Sequence, residues 1–179
     1  MKLRIISGKL GGRQVQTPSG HRTHPMSEKM RGAMFNILGD VSGLTVLDPF
    51  AGSGALSFEA ISRGAARALM IDSDVLAQET IEQNQKDLGL KTVTKVIKGN
   101  SNGWSSNNRA ERFDLMLCDP PYDHVQEDLL EKLANHLHDS GTLVLSWPIA
   151  IELPRYKDLQ IVSQKKYGDS QLVFYQKTG

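Results

Sequence analysis

Five short apolar runs, "LTVLDPF" (44–50), "ALMID" (68–72), "TKVIKG" (94–99), "FDLMLCD" (113–119) and "TLVLSW" (142–147), are separated by stretches of helical periodicity. Runs of this length without polar alternation read as strands covered on both faces. The intervening "LSFEAISR", "LAQETIEQNQKDLG" and "QEDLLEKLANHLH" read as the covering helices. Strand, helix and strand in repetition predict a mostly parallel α/β sheet. The tail breaks that rhythm. "LQIVSQKKYGDSQLVFYQK" holds two strand-like runs joined by "KYGDS" without a helix, so at least one antiparallel pair is expected there. At the other end, "LRIIS" and "RQVQT" flank "GKLGG", whose glycines permit a hairpin turn or bulge. From Ser27 the period changes. Met30, Ala33, Met34, Ile37 and Leu38 fall on one helical face, with Ser27 as N-cap and Gly39 as stop.

A chain of 179 residues, 39% hydrophobic and 23% charged, suits one globular unit with a sizeable core. No apolar run approaches the ~20 residues of a membrane span, and "MKLRIISGKLGG" lacks the apolar stretch of a signal peptide, so the expectation is a cytoplasmic protein. Cys118 is the only cysteine, which removes internal disulfides and cysteine-rich metal sites; its place in an apolar strand marks it as core. His136 and His138 stand two apart near a helix end, share no face, and read as surface residues. No metal is expected. Charge is distributed unevenly. Residues 1–40 carry +5, residues 41–154 carry −7 and residues 155–179 carry +3, for a net +1. A basic head on an acidic body suits contact with a polyanion.

In an open parallel sheet, ligands sit at the carboxyl ends of the strands near the point where strand order reverses. "LDPFAGSGALSFEA" lies there. Gly52 and Gly54 allow a sharp turn and close backbone approach, and Asp48 ends the strand. Asp72, 24 residues beyond Asp48, ends the next strand, where an acid can hold ribose hydroxyls. A dinucleotide fingerprint would want a third glycine where Ser57 stands, so a nucleoside that is not NAD fits better. The fourth run stops abruptly at Asp119-Pro120-Pro121-Tyr122. Prolines cannot donate to a sheet ladder, and two in succession stiffen the backbone that follows Asp119. An exocyclic amine on a nucleobase is a poor nucleophile. Asp119 and the Pro120 carbonyl can accept hydrogen bonds from its N–H groups, and Tyr122 offers a ring on which the extruded base can stack.

"DPFAGSGALSFEA" together with "DPPY" resembles the class I S-adenosylmethionine-dependent amino-methyltransferases. The flanks "RIISGKLGGR", "MSEKMRGAMFNIL" and "KYGDSQLVFYQK" narrow the resemblance to the RsmD family of 16S ribosomal RNA guanine-N2 methyltransferases, over nearly the whole chain. The resemblance implies a Rossmann-like fold, with a seven-stranded mostly parallel sheet, an antiparallel last strand and an N-terminal β-hairpin. Residues 1–26 would form a basic extension that grips RNA, and residues 27–179 the methyltransferase domain. The implied donor is S-adenosylmethionine. Asp48, Gly52 and Gly54 would line its methionine end, Asp72 its ribose and Asn100 its adenine, with Phe50, Ser73 and Ser101 completing the donor site. Asp119, Pro120, Pro121 and Tyr122 would hold the guanine, while Arg4, Lys9, Arg13, Arg22, Lys29 and Arg31 would meet RNA. After the third strand the family usually has a glycine followed by an acid, where this chain reads "KGNSNGW". Before the N-terminal helix it commonly has a proline-threonine-rich stretch with an arginine, where this chain reads "HRTHPMSEKMRG".

The implied partner is 16S ribosomal RNA in a partly assembled small subunit, approached by a monomer. A DNA adenine-N6 methyltransferase presents similar chemistry to "DPPY", but after the ~150 residues of such a sheet little chain remains for a module that reads the major groove. An RNA-binding module without catalysis would have no need of Asp48, Asp72 and "DPPY" together.

Overall fold

The computed structural model describes residues 1–20, 25–124 and 126–179. Strands β1 (Lys2–Arg4) and β2 (Gln14–Gln16) form a two-stranded antiparallel ribbon. Then follow α1 (Glu28–Leu38), β3 (Thr45–Asp48), α2 (Ala55–Ser62), β4 (Arg67–Asp72), α3 (Val75–Leu88), β5 (Thr94–Lys98), α4 (Ser101–Asn107), β6 (Phe113–Cys118), α5 (Glu127–Ala134), β7 (Leu137–Pro148), β8 (Leu159–Tyr167) and β9 (Ser170–Lys177). Strands β3 to β9 form one sheet of seven in the order β5-β4-β3-β6-β7-β9-β8. The first five are parallel, and β9 runs antiparallel to both neighbours, as the tail predicts.

Both faces of this sheet are buried because its strands alternate between two cores. In β6, Met116 and Cys118 enter one cluster with Trp104, Leu130 and Trp147, while Leu115 and Leu117 enter the other with Met34, Phe35 and Leu56. Cys118 is core, and burial pushes its thiol well above the ordinary range. No described helix is long and apolar enough to cross a membrane, and no group of acids, histidines and cysteines among the described residues could hold a metal ion.

Four details depart from the sequence pattern. Ser27 does cap α1, accepting from the Met30 amide, and Gly39 ends it with a positive φ. The buried stripe, however, is Met30, Arg31, Met34 and Phe35, rotated toward the hairpin side, which leaves Ile37 exposed. Helix α5 ends at Ala134, because His136 is drawn into the core: its ring bonds Ser105 Oγ at 2.8 Å and the Glu111 carbonyl at 2.9 Å. It is not the surface residue its spacing suggested. Strand β7 therefore starts early, and a kink at Ser140, with φ 64°, takes up the register shift against β6. Helix α4 occupies the polar run "SNGWSSN", held by Asn100 as N-cap and by burial of Trp104.

The hairpin is fastened to the rest of the fold through α2 and α3. Ile5 and Val15 pack with Phe58, Met70 and Ile81. The turn between β1 and β2 docks on the end of α2, where the Lys9 amide donates to the Ser62 carbonyl at 2.8 Å. Gly8 approaches so closely that a Cβ there would lie 1.9 Å from the same carbonyl oxygen. Asn84 on α3 completes the attachment, exchanging two hydrogen bonds with the Gln16 backbone and donating to the Ser53 carbonyl.

Candidate active site

The chain runs outward from β3 to β4 and β5, then returns to β6 on the other side of β3. That reversal opens a crevice at the carboxyl ends of β3 and β6, where a cavity of about 1540 Å³ lies. It exceeds the roughly 300–1,000 Å³ of a pocket for one small ligand, leaving room for two occupants side by side.

The loop after β3 forms one wall. Gly52 and Gly54 both take positive φ, 58° and 82°. At Gly54 a Cβ would come within 2.5 Å of the Phe58 ring, so the turn into α2 needs its glycine for space as well as for conformation. At Gly52 a Cβ would meet nothing within 4 Å, so this backbone faces open cavity. Asp72 at the end of β4 holds the loop in place: its Oδ2 accepts from the Gly52 amide at 2.8 Å, and its Oδ1 from the Asp74 amide at 2.9 Å. Phe50, Gly52, Asp72, Ser73, Asn100 and Ser101 all line the cavity. Asn100 spends its side-chain oxygen on the Gly103 amide, and Ser101 donates to the Pro49 carbonyl.

Asp48 and Gly54 stand elsewhere than expected: neither lines the cavity. Asp48 is fully buried behind the loop, where Ser57 donates to its Oδ2 at 2.7 Å and its Oδ1 finds no partner. Burial pushes its carboxyl up to about 7 against that hydrogen bond, with Asp119 and Asp72 adding to the rise. Its place is under the loop, as a support.

The opposite wall is Asp119, Pro120, Pro121 and Tyr122 at the end of β6. Burial pushes the Asp119 carboxyl up to about 6, opposed by a hydrogen bond from Ser146. The Tyr122 hydroxyl is hydrogen-bonded to Ser146 Oγ, and Ser170 lines the same cavity. Ser146 and Ser170 were not legible beforehand, because their relevance depends on β7 and β9 lying next to β6 and on each other.

The expected RNA-facing cations separate into three groups. Lys9 and Lys29 are exposed, and Lys29 lines the cavity mouth. Arg4 is exposed yet paired with Glu28 at 3.1 Å, and Arg13 donates to the Asp87 carbonyl at 2.8 Å. Arg31 is buried, 1% exposed, with its guanidinium 3.5 Å from Glu59 and bonded to the Arg4 carbonyl. It cannot offer a phosphate contact from there. Burial pulls this guanidinium below its ordinary value, and Glu59 partly restores it. Arg22, like His24, lies outside the described residues.

Comparison with known proteins places this geometry among relatives. The family model described as "Conserved hypothetical protein 95" matches residues 3–176. The Bacillus subtilis protein "Putative rRNA methyltransferase YlbH" is 31% identical over 184 residues, spanning 99% of this chain and 100% of that one. The "Ribosomal RNA small subunit methyltransferase D" of Escherichia coli is 32% identical over 143 residues, spanning 79% of this chain and 70% of its own length. Among solved structures, "Putative methyltransferase yhhF from Escherichia coli" superposes with a TM-score of 0.87 at 26% identity, covering 99% of both chains.

Proposed function

The chain belongs to the RsmD family of methyltransferases, and on that premise we propose that it transfers a methyl group from S-adenosylmethionine to the exocyclic N2 of a guanine in 16S ribosomal RNA. The observation that carries this reading is the meeting of two walls in one cavity: the Gly52 loop with Asp72, and Asp119 to Tyr122.

The residues present fit the donor. Gly52 leaves an open cradle, and Asp72, at the end of β4, is placed for the ribose hydroxyls. Phe50, Ser73, Asn100 and Ser101 border the same space, with Asn100 offering a neutral amide where adenine would lie. S-adenosylmethionine supplies an electrophilic methyl on a sulfonium. Asp72 also clamps the loop amide, so Asp72→Ala removes a ribose partner and leaves the Gly52 N–H unpaired. We expect it to weaken binding of S-adenosylhomocysteine by about 1–3 kcal/mol, read by calorimetry, with Asp72→Asn in between. An unchanged affinity would remove Asp72 from the donor site.

On the other wall, Asp119 and the Pro120 carbonyl accept from the guanine amine and turn its lone pair toward the methyl. The guanine stacks on Tyr122, whose ring is held by the bond of its hydroxyl to Ser146. Residues 1–26 act as the RNA grip of the catalytic unit at 27–179. Lys9 and Lys29 face solvent for phosphates, and Arg4 and Arg13 add charge while serving Glu28 and Asp87. Mass mapping of ribosomal RNA from cells with and without the gene tests the whole reading. One guanine should lose its N2-methyl when the gene is removed and regain it when purified protein and S-adenosylmethionine are added to small subunits from those cells. Transfer to adenine N6 instead, or no transfer, overturns the reading.

A further inference from the structure

Charges lining the cavity are sorted by depth. Asp72 and Asp119 are acidic and half-buried, whereas Lys29 on α1 and Lys165 and Lys166 near the end of β8 are basic and exposed, with Asp123 an exposed acid beside them on the lining. Acids suit a cationic donor and the N–H groups of a base. They repel the phosphates on either side of that base, so an RNA strand needs compensating cations close to the opening. The hairpin cations sit to one side of it, and three of the residues expected to serve there are already committed: Arg4 to Glu28, Arg13 to the Asp87 carbonyl and Arg31 to Glu59. Among the described residues, the side chains of Lys165 and Lys166 make no ion pair and no hydrogen bond, and Lys165 Nζ lies over the Tyr167 ring, 5.5 Å from its centroid.

The segment that carries them is firmly placed. Tyr167 pairs with Ser170 across a two-residue turn in which Gly168 takes φ 56°, the glycine-first arrangement suited to a twisted hairpin. The Asp169 carbonyl accepts from the Ile149 amide at 2.9 Å, and Tyr167 packs against the core cluster that includes Leu172 and Phe174. Ser170 lines the same cavity as Tyr122, so this turn borders the motif that would hold the guanine. Lysines on an edge strand also deter pairing with other chains, and β8 is an edge. That role does not require both to border one cavity.

We infer that the β8–β9 turn is the second jaw of an RNA clamp, in which Lys165 and Lys166 take phosphates flanking the target guanine, opposite the N-terminal hairpin and Lys29. This rests on the RNA reading above. The test measures affinity for a 16S ribosomal RNA transcript and for small subunits, at several salt concentrations, with wild type, K165A/K166A, K165R/K166R and a control, K91A/K95A, whose exposed lysines lie at or beside β5 on the far sheet edge. Two lost phosphate contacts should flatten the slope of log affinity against log salt by about 1.4–1.8. K165R/K166R should restore it, K91A/K95A should leave it alone, and S-adenosylhomocysteine binding should be the same in all four. An unchanged slope in K165A/K166A, or equal flattening in the control, overturns the second jaw and returns the lysines to the protection of an edge strand. Failure of the enzymatic reading looks different: wild type would then methylate no guanine in small subunits, whatever the lysines do to RNA affinity.

Discussion

Asp119→Ala is expected to lower turnover by about a hundredfold or more while donor binding stays nearly unchanged, a loss of about 2.7 kcal/mol of transition-state stabilisation. On the proposed reading the guanine amine gives up its delocalised lone pair as the new bond forms, so positive charge would grow on nitrogen where Asp119 stands. An ionised carboxylate meets that growing charge; a protonated one does not. Burial holds the Asp119 carboxyl at about 6, and the hydrogen bond from Ser146 keeps it from rising further. Turnover should therefore fall as pH drops through about 6, because the acid form accumulates below its pKa. Asp119→Asn keeps the shape and one acceptor oxygen but has nothing to titrate. It should lose less activity than alanine, and its profile should lack the acidic limb. Single-turnover rates across pH, beside calorimetric donor binding, read all of this. An alanine variant with wild-type turnover would remove Asp119 from the chemistry, and an acidic limb that persists in the asparagine variant would assign the titration to another group, with buried Asp48 next in line.

How far the site could be read beforehand follows from where its residues lie in the pattern. Asp72 and Asp119 end apolar runs, and the end of a buried parallel strand is a position that periodicity alone exposes. Asp48 ends one too, yet it lies under the Gly52 loop. A strand end places a residue within one pleat, and whether its side chain looks into the crevice or into the body turns on that pleat. Ser146 and Ser170 needed strand order, which pattern does not supply. Helix α4 was invisible because "SNGWSSN" carries a single large apolar residue; its stability comes from the Asn100 cap and from Trp104 entering the core, both tertiary facts. The greatest misreading concerned charge. Arg31 on an amphipathic helix reads as a solvated cation facing RNA, because its partner, Glu59, is on a different helix and reads equally as solvated.

That partnership sets up the other large effect. Glu59→Ala is expected to destabilise the protein by about 3–5 kcal/mol, the cost of leaving a buried charge uncompensated. Glu59 has no exposed surface; its carboxylate gathers three donors, the Ile6 amide at 2.9 Å, the Ser7 amide at 3.2 Å and Arg63 Nε at 2.9 Å, and faces the charge of Arg31, whose Nε lies 3.5 Å away. Alanine strands all three donors, two of them the backbone that leads from β1 into the docked turn, and leaves the Arg31 charge without its counterpart. Arg31 has no route to solvent at its 1% exposure, so it cannot recover by hydration without moving α1. Glu59→Gln retains an acceptor oxygen for the Ile6 or Ser7 amide while removing the charge, so it should fall between wild type and alanine. Chemical denaturation gives the magnitude, and amide exchange at Ile6 and Ser7 tells where the loosening begins. A loss below about 1 kcal/mol for alanine would mean that the cluster is no more than the usual surface pair. The consequence for function follows from the chain path. β1 contributes Leu3 to the cavity wall and α1 contributes Lys29 and Met30, so a hairpin released from α2 carries that side of the cavity away from Asp119. Donor binding, built on α2, β4 and α4, should outlast RNA binding as Glu59 is weakened.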